Sequence, residues 1–242
     1  SGMLFMGILP FQIGIPSIQQ PELQFYTPKA QTKTIERIII DPTGIESGSK
    51  TWETAKSEGI VSGDGTQSSP YIIEDYIIDA NNGEPGIQIY SSKNFYFVIR
   101  NCEVFNADTA TNQYGVYLYD SANGVLEGNH IRNNYGGIYL HWFTSNITIR
   151  NNQIANNQAG PGMYFQYYVQ NNTIRDNYIH HNYFGIYLYS YSNYNDIQYN
   201  FIYKQHLGMQ LFSNANENII KNNLIFSNDY YNIASSNCEK NQ

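Results

Sequence analysis

Charged residues are scarce in this chain of 242 residues. Lys, Arg, Asp and Glu together make up 14% of it, whereas about a quarter is usual for a soluble protein. Only 13 residues are Lys or Arg, and the formal net charge is −7. So few basic residues provide no electrostatic footprint for duplex nucleic acid, and no nucleic-acid partner is expected.

Long apolar runs are also lacking. No uninterrupted stretch reaches the roughly 18 residues of a membrane-spanning helix, so no membrane span is expected. The most apolar segment, residues 3–18, is broken by two glycines and two prolines and has no basic flank. Three interpretations of this segment stay open: the remnant of a signal peptide, the remnant of an anchor, or an edge strand. We expect export to the extracellular space, the cell surface or the periplasm.

Asparagine is absent from the first 80 residues and abundant after them. All 31 Asn and 20 of the 23 Tyr follow residue 80, while six of the eight Pro precede it. With 41% hydrophobic and 15% aromatic residues, the chain is not expected to be disordered. The change in composition divides the chain into two segments and indicates a repeat in the second.

The second segment repeats a glycine followed by alternating apolar residues. The motif begins at Gly86, Gly115, Gly137, Gly162, Gly185 and Gly208, in steps of 29, 22, 25, 23 and 23 residues. A period in the low twenties is typical of a solenoid. The alternation predicts short strands with one buried face, and Gly and Asn at fixed offsets predict tight turns. Such short strands bury a core only when the units stack, so the repeat predicts an all-β, single-stranded, right-handed parallel β-helix.

Two series of asparagines recur at fixed positions of this repeat. One comprises Cys102, Asn129, Asn152, Asn177, Asn200 and Asn223, and the other comprises Asn134, Asn157, Asn182, Gln205 and Asn228. Stacked amides can hydrogen-bond along a solenoid, so both series are interpreted as structural. Cys102 fills an Asn position, which predicts a buried and unreactive thiol. Cys238 lies about five units further along, more than ~20 Å away, so no disulfide is expected.

Two stretches of the sequence carry a family resemblance. One is Gly63-Asp-Gly-Thr-Gln-Ser-Ser-Pro-Tyr-Ile-Ile-Glu, and the other is the repeat unit at 146–157, Asn-Ile-Thr-Ile-Arg-Asn-Asn-Gln-Ile-Ala-Asn-Asn. Both resemble the β-helix proteins of the pectin-lyase-like superfamily, and most of all the NosD-like surface or periplasmic proteins of archaea and bacteria. The resemblance covers about residues 60–233. It implies the fold but no single function, because the superfamily includes lyases, epimerases, hydrolases, adhesins and metallochaperone components.

The predicted organisation divides the chain after residue 60. Residues 1–60 are expected to form an N-terminal extension and cap, with a strand at 34–40 and a short helix at 48–58. Residues 61–242 are expected to form the β-helix of about seven coils. Trp52 and Ala55 fall on one face of the helix, where they can close the first coil. No amphipathic cap follows residue 233, so we expect additional coils, an oligomer or a partner at the C-terminal end.

Alternation along each Gly-Ile-Tyr-Leu strand directs its aromatic residue outward. One outward column comprises Gln88, Tyr117, Tyr139, Tyr164, Tyr187 and Gln210, and its neighbour comprises Tyr90, Tyr119, His141, Gln166, Tyr189 and Phe212. Tyrosine can stack on sugar rings and hydrogen-bond their hydroxyls, so a polysaccharide or other glycan is an expected partner. Two alternatives stay open: a ladder that only stabilises the sheet, and a surface covered by a partner protein. The expected binding residues are Tyr117, Tyr119, Tyr139, His141, Tyr164, Gln166, Tyr187 and Tyr189.

Catalysis is a second functional hypothesis. No two carboxylates occupy the same or adjacent outward positions in consecutive units, which argues against a hydrolase and, less strongly, against a calcium-dependent lyase. Tyr139, His141 and Tyr164 are the candidate acid and base of a polysaccharide lyase or epimerase. A non-catalytic module is favoured, and no cofactor is expected.

Metal binding is the third hypothesis, since the NosD-like resemblance implies a periplasmic accessory protein for copper. His181 and His206 are the candidate ligands, but no Met or Cys accompanies them at ligand spacing, so no metal site is expected. A partly basic column is interpreted as solvated charge on an outer strand, and comprises Arg100, Glu127, Arg150, Arg175, Gln198 and Lys221. Asn146 and Asn171 begin N-glycosylation sequons that come with the repeat.

Overall fold

A computed structural model describes residues 33–110 and 113–242 of the chain. These residues form a parallel β-solenoid whose strands fall into three sheets, named here A, B and C. Each coil contributes one strand to each sheet in turn, and the sheets contain eight, eight and seven strands. The all-β parallel β-helix of about seven coils is therefore confirmed. The apolar segment at residues 3–18 lies outside the described residues.

The three sheets and the single described helix have the following bounds. Sheet A contains β1 Lys33–Ile35, β4 Tyr76–Gly83, β7 Glu103–Ala107, β10 His130–Arg132, β13 Gln153–Ala155, β16 Tyr178–His180, β19 Phe201–Tyr203 and β22 Leu224–Phe226. Sheet B contains β2 Ile38–Ile40, β5 Ile87–Tyr90, β8 Tyr114–Tyr119, β11 Gly136–His141, β14 Met163–Gln166, β17 Phe184–Tyr189, β20 Leu207–Phe212 and β23 Ile233–Ser236. Sheet C contains β3 Tyr71–Glu74, β6 Phe97–Arg100, β9 Gly124–Glu127, β12 Thr148–Arg150, β15 Thr173–Arg175, β18 Asp196–Gln198 and β21 Ile219–Lys221. The helix α1 spans Trp52–Ser57.

The core runs along the solenoid axis and is filled by every second strand residue. Ile138 pairs with Val116 on one side and Met163 on the other, and all three side chains are fully buried. The glycine that opens each sheet B motif lets neighbouring coils approach closely. A Cβ atom at Gly185 would lie 2.6 Å from Ile202 Cγ2 and would also meet the carbonyl oxygen of Gly208. Glycine is required there by close packing, since no larger residue fits without moving the backbone.

The two predicted asparagine series form continuous hydrogen-bonded ladders inside the turns. In the first, the backbone N–H and the side-chain Nδ2 of Asn152 both donate to Asn177 Oδ1, and Asn177 bonds in the same way to Asn200. Cys102 begins this ladder as a buried free thiol, and burial raises its pKa to about 12. The structural interpretation of both series is thus confirmed, and Cys102 is buried as predicted.

A third ladder lies at another corner of the coils and was not predicted. It starts from the backbone N–H of Ile147 and continues upward through Asn172, Asn195, Asn218 and Asn241. Every one of these side chains accepts a hydrogen bond from the coil below. The buried turns of the solenoid are therefore satisfied by asparagine amides at three corners.

The N-terminal region differs from its prediction in its strands and in the start of the β-helix, which includes residues before 61. The single strand expected at 34–40 is wrong: β1 and β2 are separate strands, which pair with β4 in sheet A and with β5 in sheet B. The chain turns a corner at Glu36 and Arg37, so both strands already belong to a coil. The helix α1 lies within the predicted 48–58 range, and Thr51 caps it by accepting a hydrogen bond from the N–H of Thr54.

Trp52 on α1 packs at the N-terminal end of the core. Its ring is fully buried and stacks on Tyr71 at 4.8 Å, and its Nε1 donates to Ser92 Oγ at 3.0 Å. At the other end, Leu224 and Ile233 are 45% and 50% exposed. The core is therefore covered by α1 at one end, while the last described coil leaves apolar side chains open. Within the described parts of the chain, no helix is long and apolar enough to cross a membrane.

Candidate functional site

The outward residues of sheet B form two columns, called here the sheet B face. Strand register aligns Tyr117, Tyr139, Tyr164 and Tyr187 in the first column. It aligns Tyr119, His141, Gln166 and Tyr189 in the second. All eight side chains are half-buried, while their strand neighbours point into the core. The structure thus brings together every residue that the sequence assigns to this face.

Tyrosine rings in the upper part of the first column stack on one another. The Tyr139 and Tyr164 rings are 5.0 Å apart and 17° from parallel, and the Tyr164 and Tyr187 rings are 5.1 Å apart and 18° from parallel. Because each ring covers the face of the next, these residues present their edges and hydroxyl groups to solvent. A sugar ring therefore meets hydrogen-bonding groups in this part of the column, and has no free aromatic face on which to stack.

The parallel stack ends at Tyr117. Its ring is tilted by 44° from that of Tyr139 and lies nearly perpendicular, at 79°, to that of Tyr90. A cavity of about 310 Å³ opens at this point. The cavity is lined by Glu84, Pro85, Gln88, Tyr90, Gln113, Tyr114, Tyr117 and Tyr139. The face therefore combines a ridge of stacked rings with a recess at one end.

Hydrogen bonds link the two columns. The hydroxyl of Tyr117 lies 2.7 Å from Nδ1 of His141, and the hydroxyl of Tyr139 donates to Oε1 of Gln166. The His141 ring also stacks on Tyr139, with centroids 4.8 Å apart. Tyr139 thus contacts both His141 and Tyr164, as the proposed catalytic cluster requires. The hydrogen-bond partner of His141, however, is Tyr117, which the sequence did not assign to that cluster.

Burial shifts the pKa values of several side chains on the sheet B face towards their neutral forms. Desolvation raises the pKa of Tyr117, Tyr139 and Tyr164 far above the ordinary value, and neighbouring tyrosines raise it further. Desolvation lowers the pKa of His141 to about 4. The phenols therefore stay protonated and the imidazole stays neutral at pH 7, so the face offers neutral donors and acceptors.

Tyr114 is a part of the site that sequence reasoning missed. Its ring is almost fully buried and lies 4.7 Å from that of Tyr139. Its partner in the next coil is Gly136, which leaves the space that the Tyr114 ring fills. The sequence signal for Tyr114 is its place directly before the Gly115 motif, because the next unit has Gly136 at that position.

A second aromatic row, also unpredicted, lies on the turns that follow sheet B. The rings of Phe143, Tyr168 and Tyr191 are stacked at 5.0 Å, with interplanar angles of 8° and 5°. All three are exposed and have left-handed backbone angles, with φ of 58°, 62° and 62°. That conformation is unfavourable for bulky residues and is more often filled by Asn or Gly. The sequence signal for this row is the two adjacent aromatic residues at 142–143, which recur at 167–168.

The two candidate metal ligands are not brought together. His181 lies opposite Lys204 of the next coil, while His206 stacks on Tyr183 at 4.6 Å. Instead, His181 pairs with His180, and their Nδ1 atoms are 2.8 Å apart. Burial lowers the pKa of His180 to about 4. Among residues 33–110 and 113–242, no group of three or more His, Cys, Asp or Glu side chains could hold a metal ion.

The charged column on sheet C forms ion pairs between coils. Arg100 pairs with Glu74, and Arg150 Nε lies 2.8 Å from Glu127 Oε2. These side chains are partly exposed, so the pairs are screened by solvent and each contributes about 1 kcal/mol or less. The column is consistent with its interpretation as solvated charge on an outer strand.

Comparisons with known proteins were made at the level of structure and of sequence. A crystal structure of a single mutant of the periplasmic alginate epimerase AlgG matches with a TM-score of 0.56 and 22% identity, covering 69% of this chain and 43% of that one. A second AlgG mutant matches with a TM-score of 0.55 and 22% identity, covering 67% and 42%. The chain thus spans less than half the length of AlgG, and at this identity the likeness shows the shared right-handed parallel β-helix alone.

A search of the curated proteins finds no match. A family profile, described as periplasmic copper-binding protein (NosD), matches residues 56–242. That match covers most of the chain and nearly all of the β-helix. The chain therefore belongs to the NosD family.

Proposed function

We propose that the chain is a non-catalytic periplasmic or cell-surface module that binds a polysaccharide along the sheet B face. The observation that supports this most strongly is the continuous row of half-exposed tyrosine, histidine and glutamine side chains. They are Tyr117, Tyr119, Tyr139, His141, Tyr164, Gln166, Tyr187 and Tyr189. At about 4.8 Å per coil, the face from β5 to β20 is ~24 Å long, which suits an extended chain ligand.

The chemistry of the face fits a hydroxyl-rich ligand. Tyrosine hydroxyls and the Gln166 amide supply donors and acceptors, and none of these groups is ionised at neutral pH. Fixed columns hold these groups in place before binding, so little side-chain entropy is lost. The module's position outside the cytoplasm is supported by the periplasmic description of both its family and AlgG.

The ligand is expected to be uncharged or cationic, since the surroundings disfavour an acidic polysaccharide. The pKa of Tyr90 is raised first by burial and then by the carboxylates of Glu46, Glu84 and Asp41. The protein as a whole carries a net charge of −7. A polyuronate would be repelled by this field.

The test is a glycan array followed by affinity electrophoresis in gels containing the soluble polysaccharides that bind. Tyr139→Ala combined with Tyr164→Ala removes two stacked rings from the face and should abolish the retardation. The matched control is Tyr178→Ala with Tyr203→Ala. These half-buried tyrosines lie on sheet A, and their hydroxyls are 2.8 Å apart. The control should keep the retardation.

Two results would contradict the proposal. One is an array on which the wild type binds nothing, which would instead favour a partner protein on this face. The other is equal loss of binding in both double variants, which would mean that destabilisation and not the face is responsible. Thermal melts of all three proteins distinguish a folded variant from an unfolded one.

A lyase or epimerase is the alternative for the same face, and the Tyr117–His141 contact favours it. A neutral imidazole 2.7 Å from a phenol can accept a proton that the phenol donates. Acidic polysaccharides should be screened for unsaturated uronate by ultraviolet absorbance and for epimerisation by proton NMR. A signal that is lost in His141→Ala would replace the non-catalytic proposal.

Copper handling is the function suggested by the family description, and the His180–His181 pair is the observation that favours it here. Neutral imidazoles are ligands for copper, but the described residues supply only this pair and no third ligand beside it. Copper would be a cargo held by the two imidazoles. Competition with a chromophoric Cu(I) chelator tests this: His180→Ala should lose the copper and His206→Ala should keep it. Equal copper retention by the wild type and both variants would contradict this function.

A further inference from the structure

We propose that the cavity lined by Tyr90, Tyr114, Tyr117 and Tyr139 binds an organic ammonium group. The inference rests on the proposed function where the ammonium is an amino sugar of the bound polysaccharide. A small quaternary ammonium compound has the same chemistry, and the experiment below separates the two sources.

The tyrosine rings at the cavity are inclined to one another and not stacked in parallel. In this cavity the Tyr90 and Tyr117 rings are 5.6 Å apart and inclined by 79°, whereas the Tyr139 ring is covered by His141 and Tyr164. Rings inclined to one another leave parts of their faces uncovered. An aromatic face is the negative end of the ring quadrupole, and several such faces around one space attract a cation.

The recess is large enough to hold a small ligand. Its volume of about 310 Å³ is at the lower end of the ~300–1,000 Å³ found for ligand pockets. A single methylated ammonium or one amino-sugar ring fits within that volume. A larger ligand would have to continue along the sheet B face, which leads directly away from Tyr139.

Carboxylates outnumber basic groups around the cavity. Glu84 lines the cavity, and Glu46 and Asp41 lie close enough to raise the pKa of Tyr90. Arg37 pairs with Glu84, with Nη1 2.9 Å from Oε2, and Lys50 beside Asp41 pairs with Glu58. The carboxylates still outnumber these two basic groups, and none of the described lining residues is Lys or Arg. This balance favours a cation and opposes an anion.

The cavity is also held in shape before a ligand arrives. Gln88 is almost fully buried, accepts a hydrogen bond from the Tyr90 hydroxyl at 2.7 Å, and donates to the carbonyl oxygen of Pro85 at 3.4 Å. Both ends of the amide are therefore engaged, and the Tyr90 ring is fixed. Preorganised walls of this kind raise affinity because fewer side chains are ordered on binding.

The test uses isothermal titration calorimetry with three probes: glucosamine oligomers, their N-acetylated counterparts and tetramethylammonium chloride. The pH is set so that the glucosamine amines are protonated. We expect glucosamine oligomers to bind at least tenfold more tightly than the N-acetylated ones. Glu84→Gln changes an exposed side chain and should reduce that preference severalfold. Tyr117→Leu should remove it, whereas Tyr187→Leu, in the stacked ridge, should retain it.

The outcomes separate this inference from the proposed function. Equal binding of the two oligomer types would overturn the ammonium site while leaving glycan binding intact. Binding of tetramethylammonium without either oligomer would support the site and assign it to a small ligand, and the glycan array would then decide the polysaccharide proposal separately. Binding of none of the three probes would overturn the ammonium site. If Tyr117→Leu fails to fold, the preference for glucosamine oligomers measured with Glu84→Gln tests the site instead.

Discussion

Replacing Asn177 with alanine should destabilise the protein far more than the same change at Asn223. Both residues belong to the first asparagine ladder, Asn177 in its middle and Asn223 in the last coils. Asn177 is almost fully buried. Its Oδ1 accepts from the backbone and side-chain nitrogens of Asn152, and its Nδ2 donates to Asn200 Oδ1 and to the carbonyl oxygens of Ile149 and Arg175.

The magnitude follows from counting these bonds. The two N–H groups of Nδ2 are shared among three acceptors, so these contacts amount to about four full hydrogen bonds. At about 1 kcal/mol net each, Asn177→Ala should cost about 4 kcal/mol, and the buried N–H of Asn152 loses its acceptor. Asn223 makes three bonds, to Asn200 N, Asn200 Nδ2 and Ile197 O, and is half-exposed. Water can replace part of these, so Asn223→Ala should cost only about 1–2 kcal/mol.

Equilibrium unfolding in urea, followed by circular dichroism and tyrosine fluorescence, measures both values. A difference of about 2–3 kcal/mol is a large part of the ~5–15 kcal/mol stability of a typical domain, so the midpoints should be well separated. The exposed turn residue Asn94, which does not have a left-handed backbone, provides a control for the loss of an asparagine as such. Equal costs at Asn177 and Asn223, or a cost below about 1 kcal/mol at Asn177, would refute the role given to the ladder.

Three further predictions concern packing, protonation and turn geometry. Gly185→Ala should lower stability by at least about 2 kcal/mol, because its Cβ meets Ile202 and the backbone of the next coil; a thermal melt unchanged from the wild type would contradict this. Burial lowers the pKa of His141 and His180 to about 4, below the ~6.5 of an unfolded chain. The unfolded state therefore binds more protons between these values, and stability should fall as the pH drops from about 6.5 to 4. The double variant His141→Gln, His180→Gln should flatten that profile in unfolding titrations, and an unchanged slope would contradict the assignment. Tyr191→Asn should change stability by less than about 1 kcal/mol, because its left-handed backbone favours Asn; a large loss would show that ring stacking dominates.

The sequence determines the coil register because each side chain repeats at the same place in a stack of nearly identical units. Gly137, Gly162 and Gly185 align the motifs, and the outward position of Tyr139 then follows from strand alternation. The two asparagine ladders could be found for the same reason. The third was missed because its members, such as Asn172 and Asn195, follow turn residues that vary from coil to coil.

Side-chain orientation within the columns could not be predicted in this way. The tilt of Tyr117 and the recess beside it depend on how Tyr114 packs over Gly136. A repeat consensus averages over such local exchanges of a large residue for a small one. The separation of His181 and His206, by contrast, is readable from the repeat, since the two residues are one coil apart but two positions out of register.

The central claim is that the sheet B face is the binding surface, and hydroxyl-radical footprinting read by mass spectrometry tests it most directly. The protein is oxidised with and without a polysaccharide that binds on the array, and the oxidation of each tyrosine is compared. We predict protection of Tyr117, Tyr139 and Tyr164, and none at Tyr178 and Tyr203 on sheet A. Protection confined to sheet A, or spread equally over both sheets, would contradict the account.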